Sequence, residues 1–308
     1  LTACGGEPKV GTAPNAPDPA TPLPALHART GAVPGIFDDQ GRQVLLRSVN
    51  YSALGDYYQD HPSHPSVIPP RAGDLAQMAE LGLLGVRLLM SWSQLEPQPG
   101  VYNQAYLDDI EAVVVDAAQQ GLYVILDMHQ DAWGKHIATR EAEETCLPLF
   151  TPAIGWDGAP AWATRRDGLS TCRLNARELS PAVAQAFTNF FLNTAGIQDH
   201  FVGAWQAVVA RLAKHTNVAG YDLFNEPHPG YLAAANGVTL MAQFYSRLIE
   251  AIREAESDAG GFAHIVFFEP SIEWSLTGLT LVPLPNFTTD GNIVFSPHNY
   301  CGSISPLP

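Results

Sequence analysis

At 308 residues and 46% hydrophobic, the chain has enough material for one large α/β domain. Its formal charge of −15, with 16 Lys and Arg against 31 Asp and Glu, excludes a nucleic-acid binder, whose phosphate contacts need a basic face. No apolar run is long enough to cross a bilayer. In chain order, Glu7 to about Ala28 is rich in Pro and Ala and poor in large apolar groups, which predicts an extended, solvated spacer. "GIFDDQGRQVLLRSVNYS" (35–52) predicts a hairpin: a short strand, a turn at Asp38-Asp39-Gln40-Gly41, and an apolar strand ending at Asn50. From there helix and strand alternate. "DLAQMAELGLL" (74–84) has helical spacing, and "GVRLLMSW" (85–92) is a continuous apolar strand. "AYLDDIEAVVVDAAQQG" (105–121) is helical, and "LYVILDMHQD" (122–131) is a buried strand. An irregular segment, roughly 132 to 195, is rich in Trp, Pro and Gly. Beyond it come a helix at 200–216, the strand "VAGYDLFNEP" (218–227), an amphipathic helix at 241–256, and the strands "HIVFFEPS" (264–271) and "NIVFSPHNY" (292–300).

Strands that are apolar on both faces and alternate with helices predict a parallel sheet covered by helices. With the opening hairpin strand set aside there are six, several ending in polar groups: Asn50, Arg87, Asp127, His129, Asn225, Glu226, Glu269, His298 and Tyr300. Convergence of such groups at C-terminal strand ends predicts a (β/α)8 TIM barrel, with strands one to six present. A doubly wound dinucleotide fold is disfavoured, because no G-x-G-x-x-G follows the first strand and no P-loop occurs.

The opening "LTAC" before Gly-Gly resembles a bacterial lipobox, which implies lipid modification of Cys4 and a surface location outside the cell. On that reading residues 1–28 are a lipobox remnant and tether to a membrane, and 29–308 form the partial TIM-barrel domain. Export would permit disulfides, and Cys146 and Cys172 flank one irregular segment that they are placed to staple. Cys301 is left over, either for a partner elsewhere or as a buried thiol. His61 and His64 have metal-like spacing, but "DHPSHP" is broken by proline and reads as a solvated loop. No metal or cofactor is signalled, and a monomer is expected.

With these residues in view, "RSVNYS", Arg87, "DMHQD", "LFNEP" and "HNY" make the chain resemble glycoside hydrolase family 5 over about residues 34–300. "HQD" followed by "WDGAPAWA" (156–163) points to its endoglycoceramidase-like branch. The resemblance implies that Glu226 is the general acid/base and that Asn225 binds a sugar 2-hydroxyl. It also implies that Arg87, His129, His298 and Tyr300 surround the catalytic carboxylates, with Asp127 at a sugar-binding position. Asn50 and Trp133 join the expected substrate-binding set; Trp133, Trp156 and Trp162 either stack on sugars or fill the loop core. The implied reaction is retaining hydrolysis of a β-glycoside, of a glycolipid or another oligosaccharide substrate, without cofactor. The alternatives are a β-glucan- or mannan-cleaving enzyme of the same fold and a non-catalytic sugar-binding lipoprotein.

The family nucleophile is a Glu ending strand seven, whereas this sequence stops eight residues after "HNY". Glu269 and Glu273 follow a neighbouring strand, and Asp127 and Asp131 lie on the acid's own side, so none faces Glu226 across a scissile bond. The expectation is therefore an incomplete barrel, C-terminally truncated, with the nucleophile outside it and no activity alone. The branch usually carries a Lys after the first-strand Asn, where this chain has Leu54, Gly55 and Asp56; that departure leaves a simpler glycolipid, a steryl glucoside or a β-glucan open as substrate.

Overall fold

The computed structural model describes residues 22–57, 67–232, 234–277 and 284–299. A small antiparallel sheet opens it: β1 (Leu26–Arg29) pairs with β2 (Gly35–Asp38), and β2 pairs with β3 (Gln43–Val44). Asp38 fixes the turn by accepting hydrogen bonds from the amides of Gln40 and Arg42 and from the Arg42 guanidinium. The expected hairpin forms, but its return strand ends after two residues and the apolar run continues as a strand of another sheet. Composition assigned Leu26–Ala28 to the tether; they instead belong to β1. Leu26 is buried with Tyr123, Ala219 and Ile265, so β1 packs against the N-terminal end of the main sheet.

That main sheet contains β4 (Ser48–Leu54), β5 (Gly85–Met90), β6 (Tyr123–Met128), β7 (Val218–Asp222), β8 (Ile265–Phe268) and β9 (Ile293–Phe295), all parallel. Spatial order follows chain order without the reversal of a doubly wound sheet, which is the winding of a (β/α)8 barrel over six strands. Every residue of β5 and β7 is buried, as their unbroken apolar runs require. The covering helices are α1 (Asp74–Glu80), α2 (Trp92–Leu95), α3 (Gln104–Gln119), α4 (Pro181–Phe191), α5 (Ile197–Leu212), α6 (Ala234–Asp258) and α7 (Ile272–Thr277). Asn103 caps α3 by accepting from the Tyr106 amide. Phe190, Phe201, Phe224 and Phe244 interlock between helices and sheet, with ring centroids 5.0–5.8 Å apart.

The segment read as irregular contains α4, whose residues are buried almost all round. Gln185, Thr188 and Asn189 form a narrow polar stripe at i, i+3, i+4 spacing and Pro181 stands in the first turn, but the Trp-, Pro- and Gly-rich surroundings masked this signal. The excursion is fastened in several places. Cys146 and Cys172 form a disulfide, with Cα atoms 5.6 Å apart. Nearby, Glu144 accepts from the Ser170 hydroxyl and the Thr171 amide and hydroxyl. The Asp131 amide donates to the Asp157 carbonyl, and the Ala159 amide to Trp133. Gly158 has φ 140° and a Cβ there would collide with the Trp133 carbonyl, so only glycine permits this approach.

Candidate active site

Arg87 is the hub at the C-terminal end of the sheet. Its Nε donates to Asp222 Oδ2 at 2.9 Å, and its Nη2 to Asn225 Oδ1 at 3.0 Å and Glu269 Oε1 at 3.1 Å. Nη1 lies 3.0 Å from Asp127 Oδ2, close enough for an ion pair but out of line for a hydrogen bond. One guanidinium thus binds carboxylates from β6, β7 and the segment after β8. Burial opposes its charge, yet these carboxylates win and raise its pKa.

Two arms extend from this hub. On one, Asp127 Oδ2 contacts His129 Nδ1 at 2.7 Å, and His129 Nε2 contacts Asp131 Oδ2 at 3.2 Å. Burial pushes His129 down, but the two carboxylates overcome it and hold it near about 10. Arg177, from the fastened excursion, donates to Asp131 Oδ1 at 2.7 Å, and its guanidinium carbon lies 5.4 Å from the Trp156 ring centroid. Tyr57 meets Trp156 edge-on at 5.5 Å. On the other arm, His298 Nδ1 contacts Glu226 Oε1 at 2.8 Å, and its Nε2 contacts Glu269 Oε1 at 3.2 Å.

Glu226 has φ 44°, in the left-handed region that side chains beyond glycine rarely occupy. Its amide donates to Glu269 Oε2 at 2.9 Å, which holds the turn and aims the carboxylate outward. Asn225 is oriented at both ends, accepting from Arg87 and donating from Nδ2 to the Gln130 carbonyl at 3.0 Å.

These groups line a cleft of about 280 Å³ bounded by Asn50, Ser52, Tyr57, Arg87, His129, Asp131, Arg177, Asn225, Glu226 and His298. A larger hollow of about 590 Å³ lies beside β4, α1 and α3, and none of the Arg87, His129 or Glu226 network enters it. The structure therefore brings Arg87, His129, Asn225, Glu226, His298 and Asn50 to one cleft. Two expected residues do not reach it. Asp127 is fully buried and serves Arg87 and His129, because its strand position points under the cleft floor. Trp133 is also fully buried, edge-on to Trp92, Phe187 and Phe190, so it fills the core. Trp162 likewise donates to the Glu96 carbonyl and packs on Trp92. Tyr300, Cys4, Cys301, His61 and His64 lie outside the described residues.

Sequence reasoning missed Asp222, Tyr57 and Arg177. Asp222 had a signal, being a carboxylate at the end of an apolar strand; Arg177 had none, since only the folded excursion carries it to the cleft. Among the described residues no cluster of three or more His, Cys, Asp or Glu forms a candidate metal site.

A parallel sheet wound in chain order, with polar strand-end groups gathered in one cleft, is the frame of a (β/α)8 barrel with its site at the C-terminal strand ends. Residues 38–305 match the cellulase model, glycosyl hydrolase family 5, and the chain belongs to that family. It is similar to a crystal structure of endogalactoceramidase, at 44% identity and TM-score 0.86 over 92% of this chain and 61% of the other. It resembles endo-glycoceramidase II from Rhodococcus sp., solved with ganglioside GM3, at 34% identity and TM-score 0.66, covering 86% and 58% of the two chains. Endoglycoceramidase I of Rhodococcus hoagii (strain 103S) is 29% identical over 92% of this chain and 54% of its own length. The chain spans about half the length of the curated relatives it matches here.

Proposed function

We propose that this chain carries the proton-donating side of a retaining β-glycosidase that cleaves the bond between a sugar and a lipid aglycone, with Glu226 as general acid/base. The observation that carries the proposal is the 2.8 Å contact of Glu226 Oε1 with His298 Nδ1 at a cleft also lined by Asn225. In the first step Glu226 protonates the glycosidic oxygen as its bond to the anomeric carbon breaks, while a second carboxylate bonds to that carbon. In the second step Glu226 takes a proton from the water that releases the sugar. Asn225 keeps one amide hydrogen for a sugar hydroxyl, since Gln130 takes the other.

The second carboxylate lies outside the described residues on this reading. Glu269 and Asp222 are buried against Arg87, Asp131 is engaged by His129 and Arg177, and Glu273 is exposed on α7. Similarity to ceramide-glycan hydrolases supports a glycosphingolipid as substrate. We also propose that the protein is monomeric and held at a bacterial surface by acylation of Cys4. The Cys146–Cys172 disulfide suits an oxidising compartment. Detergent partitioning of wild type and C4A tests the anchor, and light scattering tests the monomer.

The full-length protein, assayed side by side on galactosylceramide-linked oligosaccharides, glucosylceramide, ganglioside GM3 and carboxymethyl cellulose, tests the activity. Glycan release with retained anomeric configuration from a glycolipid, lost about 10²–10⁴-fold in Glu226→Gln, is the expected result. Turnover confined to cellulose, or undiminished in Glu226→Gln, overturns it.

A further inference from the structure

Glu269 is fully buried and absent from the cleft wall, yet it touches three residues of the site. Oε1 accepts from Arg87 Nη2 at 3.1 Å and faces His298 Nε2 at 3.2 Å, while Oε2 accepts from the Glu226 amide at 2.9 Å. Its own carbonyl accepts from the Tyr245 hydroxyl on α6. His298 therefore stands between two carboxylates, one facing the cleft and one sealed beneath it. Resting on the reading of Glu226 as general acid, we propose that Glu226, His298 and Glu269 hold one exchangeable proton between them, Glu269 being the positioning residue that stores it.

The charges around the line require a retained proton. Asp127 and Asp131 from the β6 side, Asp222 and Glu226 from the β7 side, and Glu269 after β8 supply five carboxyl groups. Facing them are the guanidiniums of Arg87 and Arg177 and the His129 imidazole. Burial pushes Glu269 well above the usual carboxylate range; Asp222 adds to this and Arg87 opposes it. With a neutral His298 ring the proton has two resting places. When Glu226 is the acid, it donates to Nδ1 and the ring donates Nε2–H to an ionised Glu269. When Glu269 holds the proton, it donates to Nε2 and the ring donates Nδ1–H to an ionised Glu226. Interconversion moves one proton from Glu269 to Nε2 and another from Nδ1 to Glu226, so charge and atoms balance. The His298 tautomer thus reports which carboxyl is loaded, and the negative charge of Glu269 keeps the proton on Glu226 to higher pH.

The test compares wild type, Glu269→Gln and Glu269→Asp in the full-length protein, with ¹⁵N-labelled histidine and His298 assigned by its loss in H298Q. In wild type both neutral tautomers of the His298 ring are expected to be populated, read as averaged Nδ1 and Nε2 shifts; in Glu269→Gln the ring is expected to stay Nε2–H while Glu226 holds its proton. The alkaline limb of the glycolipid pH–rate profile is expected to move down by about one pH unit in Glu269→Gln, because a neighbouring negative charge is gone. Glu269→Asp, which keeps the carboxyl, returns the limb toward wild type and controls for folding, checked by thermal unfolding. One fixed tautomer in wild type, or a limb that Glu269→Gln leaves in place, overturns the proposal. Absence of wild-type turnover overturns only the glycosidase reading, since the ring signals are read without substrate.

Discussion

The Arg177 guanidinium donates to Asp131 Oδ1 at 2.7 Å, joining the end of the "HQD" run to a residue 46 positions further along the chain. The contact places an excursion residue in the wall of the cleft, above Trp156 and beside Asp131. Arg177→Ala is expected to weaken binding of the free oligosaccharide head group by roughly 10-fold or more, as loss of a charged hydrogen bond predicts. Arg177→Lys should recover only part of it, because an ammonium lacks the planar fork. Titration calorimetry with Glu226→Gln as the background measures both without turnover.

Arg87 answers for more stability than any single ion pair on the surface. Replacing it by Met leaves Asp127, Asp222 and Glu269 buried with their shared cation gone. Breaking such a buried cluster predicts a loss of about 3–5 kcal/mol, read as a lower urea midpoint. The exposed pair Arg140–Glu143 serves as the contrast, and Arg140→Ala should change stability by under about 1 kcal/mol.

Two buried groups give stability a pH slope of known sign. Burial raises Asp157 from the ordinary carboxylate range to about 7, despite hydrogen bonds that oppose the shift. A carboxyl raised on folding favours the folded state most below its unfolded value near ~4, and the contribution is lost as pH rises to about 7. His129, raised to about 10, contributes fully below about 6.5 and loses that contribution as pH climbs through 10. Unfolding free energy should therefore fall with rising pH across both windows, by at most about 1.4 kcal/mol per unit for each group. Asp157→Asn flattens the lower window and His129→Gln the upper one, which chemical denaturation at stepped pH would show.

Removing the Cys146–Cys172 disulfide by a double Ser substitution is expected to destabilise the protein by about 3 kcal/mol, given a separation of 26 residues. Affinity for the head group should drop too, because the same excursion presents Arg177 and Trp156. A variant that unfolds earlier yet binds the saccharide unchanged would separate the staple from the cleft wall.

The strand order and the strand-end chemistry were legible because a parallel strand needs an unbroken apolar run, and polar residues at its end stand out against it. Arg87, His129, Asn225, Glu226 and His298 all follow that logic. Asp127 and Trp133 misled for one reason: residue type reveals chemistry but not which way a side chain turns. Asp127 turns beneath the floor, and Trp133 packs into the ring cluster around Phe190. Arg177 was invisible, since it depends on a 46-residue return, whereas α4 was obscured by the Trp-, Pro- and Gly-rich segment around it. β1 was hidden in Pro-rich composition and is revealed only by its ladder to β2.

With Glu226 in its proposed role as general acid, its left-handed turn sets stability against catalysis at a single residue. Any side chain there carries roughly 1 kcal/mol of backbone strain, and Glu226 precedes Pro227, which restricts it further. Glycine is the substitution that relaxes the turn, and it removes the acid. Glu226→Gly should therefore lose that strain while abolishing turnover, whereas Glu226→Ala keeps the strain and gains nothing. A selection for thermostability alone would push this position toward an inert, more comfortable protein.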